Sequence, residues 1–251
     1  MQNKFFDSCV YPKSNNFDEI KNLLKINKKK NYKALVQITS DVDLAKYFYI
    51  RDKVDNFYPL LHISKKQNLS NQLKKIKKNN LKNIKIHPRF LEKKIEKNFS
   101  FYKKIFIFFE KNNINIFLCT FSSWNEEVLE KDELDLIAKL SNILKKSKLI
   151  LMHGGGVKIL RYYEKFRFKE NVFLDLSYTL QHFKNTSLIN DIIFCIKNLD
   201  KRIIFGSDYP SKKMSNYYNI ISFLEKKITR KKISNIIFDN LNLIIKNENQ
   251  K

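Results

Sequence analysis

Lys148-Leu149-Ile150-Leu151-Met152-His153-Gly154-Gly155-Gly156 carries the plainest sign of the fold. Four apolar residues in a row are too few for an ordinary helix and suit a short strand buried on both faces. The run breaks at a histidine and three glycines, which mark a strand-to-helix turn with tight backbone geometry. Arg202-Ile203-Ile204-Phe205-Gly206-Ser207-Asp208-Tyr209-Pro210 follows the same plan, with a carboxylate at the break. All four glycines of the chain lie in these two stretches.

Working outward, comparable apolar runs stand at Phe5–Val10, Ala34–Ile38, Tyr58–Ile63, Ile84–Ile86, Ile114–Cys119 and Val172–Leu176, which with Leu149–Met152 and Ile203–Phe205 makes eight candidate strands. Helical spacing fills the intervals: Ile20, Leu23, Leu24; Leu69, Leu73, Ile76; Ile105, Phe108, Phe109; Leu136, Ile137, Leu140, Ile143, Leu144; Leu188, Ile192, Ile196; Ile220, Ile221, Leu224. Strand starts recur about every 30 residues, the length of a βα unit. Apolar strands alternating with amphipathic helices imply a parallel sheet covered on both faces. Eight such units in 251 residues predict a single-domain α/β fold over residues 1–251, a (β/α)₈ TIM barrel; a doubly wound open sheet is the competitor.

The totals narrow the function classes. Composition is 43% hydrophobic and 29% charged, which is globular. No run approaches the ~18 apolar residues of a membrane span. Asp7 interrupts the apolar start where a signal peptide needs continuity, so a cytoplasmic protein is expected. Cys9, Cys119 and Cys195 are too few and too scattered for a disulfide framework, and Cys195 lies on an apolar helical pattern as a small core residue. The formal charge of +24 comes from 43 Lys and only six Arg spread along the chain. Phosphate and base-edge recognition favours the Arg fork, so a solvated basic surface is expected rather than a nucleic-acid partner.

In a barrel the chemistry sits at the C-terminal ends of the strands. His62, His87 and His153, three of the four histidines, fall there. His153 leaves a buried strand beside the glycine turn, whose three glycines serve either a tight turn or a site. Asp208 ends another strand as helix N-cap, metal ligand or general base. Strand alternation puts Lys85 and His87 on one side, and with Arg89 they form a cationic cluster for a carboxylate or phosphate ester. His182 reads as incidental. Phe121 and Trp124 line a pocket or pack under a loop.

Taken in order, His153-Gly-Gly-Gly156, Asn171-Val-Phe-Leu-Asp-Leu-Ser177 and Arg202-Ile-Ile-Phe-Gly-Ser-Asp-Tyr-Pro210 are similar to the amidohydrolase-related family, with Lys85-Ile-His-Pro88 and the closing Ile233–Leu243 also fitting. The resemblance spans nearly the whole chain, and Phe-Gly-Ser-Asp-Tyr-Pro is its most specific piece. It implies a TIM barrel for metal-dependent hydrolysis or decarboxylation of small, often carboxylated substrates. Carried over residue by residue, the eighth-strand metal-ligand Asp is Asp208 and the substrate-polarising His is His153. The first-strand His-x-His pair falls on Cys9 and Tyr11, and the fifth-strand His on Cys119. Cys9, Cys119 and Asp208 are therefore the candidates for a single divalent metal such as zinc, thiolates being good zinc ligands. Tyr11 is a poor ligand at neutral pH. Relatives that hydrolyse pyrone dicarboxylates work without metal, and the retained residues suit that pattern. The resemblance thus implies a hydrolase of a small anionic lactone or cyclic amide: Asp208 and His153 catalytic, Lys85, His87 and Arg89 on the substrate carboxylate, Tyr11 and Tyr178 at the rim. A non-catalytic barrel that binds a metabolite or partner is the second expectation, and a metal-dependent nuclease the third.

Overall fold

Apolar runs flanked by polar residues become strands where both faces are covered, and all eight do so. The computed structural model describes residues 4–11, 17–28, 31–39, 45, 56–65, 67–120 and 133–246. Its strands are β1 (Phe5–Val10), β2 (Tyr32–Ile38), β3 (Phe57–His62), β4 (Asn83–Ile86), β5 (Asn115–Cys119), β6 (Leu149–Met152), β7 (Val172–Asp175) and β8 (Ile203–Ile204). They form one sheet in sequential order, parallel wherever the register is defined. A parallel bridge between Val10 and Tyr209 joins β1 to the segment after β8. With the interleaved helices this is the (β/α)₈ fold.

The helices are α1 (Phe17–Lys28), α2 (Leu69–Lys78), α3 (Pro88–Leu91), α4 (Phe99–Lys111), α5 (Glu133–Ser141), α6 (Ile159–Phe166), α7 (Thr179–Phe183), α8 (Leu188–Leu199), α9 (Met214–Glu225), α10 (Arg230–Ser234) and α11 (Asn240–Lys246). α6 is an addition to the sequence pattern. Its apolar face is carried by Ile159, Tyr162 and Phe166, two of them aromatic, rather than by an aliphatic repeat. Among the described residues, no helix is long and apolar enough to cross a membrane.

The chain packs as two compact units, residues 1–60 with 175–251, and residues 61–174. The first holds a core of Phe6, Tyr32, Leu35, Phe205 and Tyr217, with the rings of Phe205 and Tyr217 stacked at 4.8 Å. β1 shifts register against β2 between Asp7 and Val10, which turns the polar residues at its end. The second unit is held by Tyr102, Ile105, Phe106, Phe109, Phe117 and Phe166, all buried. Cys195 is fully buried in α8 as the helical pattern implied, and burial pushes its thiol up to about 12.

Candidate functional site

In the first unit the polar residues at the strand ends interlock. The Asp7 carboxylate accepts the N–H groups of Cys9 at 3.1 Å and Ser207 at 2.8 Å, and the Tyr32 hydroxyl at 2.5 Å. It therefore ties the register shift of β1 to the segment that follows β8. Gly206 is required at this crossing. A Cβ there would lie 2.4 Å from Ser8 Oγ and 2.8 Å from the backbone N of Cys9. Asp175, at the end of β7, accepts the hydroxyls of Ser8 at 3.0 Å and Ser177 at 2.9 Å, and the Ser177 N–H at 2.8 Å. Burial pushes Asp7 up to about 6 and Asp175 up to about 7, against the pull of these hydrogen bonds. The charge of Asp208 adds to the rise at Asp175.

Asp208 is buried, and its backbone lies in the left-handed region at φ +56°. The Cys9 thiol donates to its Oδ1 at 3.3 Å, and Gln37 Nε2 donates to Cys9 Sγ at 3.4 Å. Helix α9 is preceded by Lys213 as its N-cap residue, so Asp208 caps no helix. Tyr11 donates its N–H to the Tyr209 carbonyl at 2.9 Å and shares a hydrogen bond with Ser211 through its hydroxyl. Burial raises the Tyr11 and Tyr178 phenols, and the Asp208 charge raises both further. Tyr178 is also at positive φ (+64°). Its ring stacks on His182 at 4.9 Å, and Lys212 Nζ lies 4.7 Å from its centre. His182 is thus a packing partner of a rim tyrosine rather than an incidental residue.

The 61–174 unit carries the basic strand ends. His62 pairs with Lys85 in the β3–β4 register. Lys85 and His87 are both buried, as are Ile84 and Ile86 in the same stretch. The His87 ring stacks on Phe90 at 4.0 Å and 14°, and His62 lies 6.2 Å from His87. The Arg89 guanidinium sits 5.2 Å from the Phe90 ring centre. Burial, followed by the charge of Lys85, lowers His62 to about 4. The same causes, with His62, Arg89 and His153 adding, lower His87 to about 2. Both imidazoles are therefore neutral at pH 7.

His153, Gly154, Gly155 and Gly156 run in succession through positive φ, at 65°, 54°, 77° and 58°. The Gly155 N–H donates to Thr120 Oγ1 at 3.0 Å, and that hydroxyl donates to the Met152 carbonyl at 2.7 Å. A Cβ on Gly155 would lie 2.2 Å from the Tyr162 ring. The glycines thus serve both the left-handed turn and the close approach of α6. Cys119 is buried at the end of β5, in register with Met152. Phe121, Trp124 and Pro12 lie outside the described residues.

A metal centre finds little support in the donors. Among the described residues, no group of three or more His, Cys, Asp or Glu side chains is placed to hold a metal ion. The Cys9 thiol and the Asp208 carboxylate are hydrogen-bonded to each other. Among the described residues this pair falls short of the three protein ligands that such a site needs.

Asp7, Asp175 and Ser207 received no role from the sequence. The available signal was a carboxylate at the end of an apolar run, as at Asp208, but their partners are up to 200 residues away.

No family model matches the chain, and no curated protein matches it in sequence. Solved structures do match in fold. An uncharacterized TIM-barrel protein from Bordetella bronchiseptica aligns with a TM-score of 0.72 at 14% identity, covering 98% of this chain and 100% of the other. A probable 2-pyrone-4,6-dicarboxylic acid hydrolase from Acinetobacter baumannii, with citric acid bound, aligns at 0.69 and 14% identity over 98% and 100%. Dihydroorotase from Campylobacter jejuni aligns at 0.62 and 15% identity over 97% and 83%. At these identities the likeness is one of fold, and the fold it supports is the TIM barrel that the strand order describes.

Proposed function

We propose that this chain is a hydrolase of a small carboxylated molecule, a lactone or cyclic amide, with Asp208 as general base. The observation that carries the reading is the Asp208 carboxylate itself, buried in the segment after β8 on a left-handed backbone and hydrogen-bonded to the Cys9 thiol. A non-glycine residue held in that region costs on the order of 1–3 kcal/mol, and such strain concentrates at functional sites. Here the Asp7 bond to the Ser207 N–H holds the neighbouring backbone in place.

In the proposed reaction Asp208 takes a proton from water as the oxygen attacks the substrate carbonyl, and returns it to the leaving alkoxide or amine. The sequence resemblance gives His153 the role of polarising the carbonyl. The sequence pattern assigns Lys85, His87 and Arg89 to the substrate carboxylate. Tyr11 and Tyr178 border the site. No step runs through a metal. The sequence resemblance supports the reaction class, and the fold shared with a probable 2-pyrone-4,6-dicarboxylic acid hydrolase supports the carboxylated substrate.

The test is Asp208→Asn, assayed on carboxylated lactones and cyclic amides that the wild-type protein turns over. The expected result is a loss of kcat of about a hundredfold or more, with an unchanged circular dichroism spectrum. Retained turnover in a folded variant overturns the mechanism.

A further inference from the structure

Two imidazole nitrogens in the 61–174 unit, His62 Nε2 and His87 Nδ1, are buried without a hydrogen-bond partner among the described residues. Buried polar atoms in native proteins are nearly always bonded, so two orphans in one cluster point to an absent partner. Their neighbours are cationic. Lys85 is 6% exposed and forms no ion pair with a described carboxylate. Among the described residues, the groups that act electrostatically on His87 are Lys85 on its own strand, His62 from β3, Arg89 from α3 and His153 after β6, and none is acidic. Burying an ammonium with no countercharge is costly, and an anion entering here relieves that cost.

The aromatic packing sets the direction of approach. Phe90 covers one face of the His87 ring, and a hydrogen bond to either nitrogen comes in the plane of the ring, at its edge. A neutral imidazole has one N–H and one bare nitrogen, whereas an imidazolium donates from both. We infer that His62, His87 and Lys85 form an oxyanion-binding site that takes up a proton together with its ligand. The surrounding cations and burial hold both imidazoles neutral in the free protein. An anion reverses the local field, so the imidazolium becomes the favoured form and its charged hydrogen bond holds the ligand. The ligand class is a small carboxylate or another compact oxyanion. The inference rests on the proposed hydrolase only in taking that anion to be part of the substrate; binding requires no turnover.

The experiment is titration calorimetry of the wild-type protein with oxalate and, separately, sulfate, both fully charged across the neutral range. It is run between about pH 6 and 8, in buffers of different ionisation enthalpy. Binding is expected to tighten as pH falls, by up to about tenfold per pH unit for one proton, with buffer-dependent heat reporting the uptake. Lys85→Met should weaken binding at least about tenfold. His62→Gln with His87→Gln should abolish the pH dependence. Binding of oxalate alone assigns the site to carboxylates, and equal binding of sulfate assigns it to oxyanions in general; both support the inference. No saturable binding of either anion, binding unaffected by Lys85→Met, or heat independent of buffer overturns it. An active Asp208→Asn would defeat the hydrolase reading and leave this one standing.

Discussion

Gly206 shows how much a single residue decides here. Its place in Phe205-Gly206-Ser207-Asp208 was legible as a strand end, but the reason for glycine lies in β1, with Ser8 Oγ and the Cys9 backbone at 2.4 and 2.8 Å from any Cβ. A methyl group can displace a serine hydroxyl cheaply, but it cannot displace backbone. Gly206→Ala should therefore destabilise the protein by about 1–3 kcal/mol, as overpacking does, read from urea unfolding. Unchanged stability would mean that the ends of β1 and β8 separate without cost. Cysteines divide in the same way. Cys195 was identified correctly by apolar spacing alone, whereas the bond from Cys9 to Asp208 joins residues 199 apart.

At the scale of the element, α2 is instructive. The apolar spacing of Leu69, Leu73 and Ile76 marks the helix, yet its buried residues are Gln72 and Ile76. The face is rotated because Gln72 has work to do at the end of β3. Its Oε1 accepts the Ser64 N–H at 2.9 Å, and its Nε2 donates to the carbonyls of Ser64 at 2.8 Å and Gln67 at 2.9 Å. These bonds fix the chain two residues beyond His62. Replacing Gln72 with Leu keeps the apolar bulk and strands the Ser64 N–H. The expected loss is up to about 1–3 kcal/mol in urea unfolding, the upper end being the cost of a fully buried unsatisfied donor, because the Ser64 N–H is half-buried. A neutral result would show that water reaches Ser64. Periodicity counts apolar residues and is blind to a buried amide that serves the backbone.

For the whole molecule, two sets of buried groups pull stability in opposite directions with pH. Asp7 and Asp175 have folded values of about 6 and about 7, above the ordinary carboxyl value near 4. The folded state then binds more protons than the unfolded, so their contribution is complete below about pH 4 and is lost as pH rises toward 7. His62 and His87 have folded values of about 4 and about 2, below the ordinary 6.5. Their contribution is complete above about pH 6.5 and is lost as pH falls. The two slopes oppose each other between about pH 4 and 6.5. Asp7→Asn with Asp175→Asn should therefore make stability rise with pH across this window, and His62→Gln with His87→Gln should make it fall. Denaturant midpoints at several pH values check both signs; parallel profiles for the two variants would refute the assignment. A net charge of +24 adds a uniform self-repulsion that salt screens, so the comparison belongs at fixed ionic strength.

Local sequence pattern was enough to specify the set of strands and the residues at their ends. Burial on both faces demands continuous apolar runs, and all eight runs became strands within a few residues of where the pattern placed them. Glycine at the turns and the polar residues after each strand were legible for the same local reason. Which of those residues meet is set by the folded arrangement of the strands. Asp7 bonds to Ser207, Ser8 to Asp175 and Cys9 to Asp208 across separations of 167 to 200 residues. His62 joins Lys85 and His87 because β3 pairs with β4 in one particular register. Periodicity is a property of neighbours along the chain, whereas a carboxylate's protonation or an imidazole's missing partner depends on what folding brings alongside it.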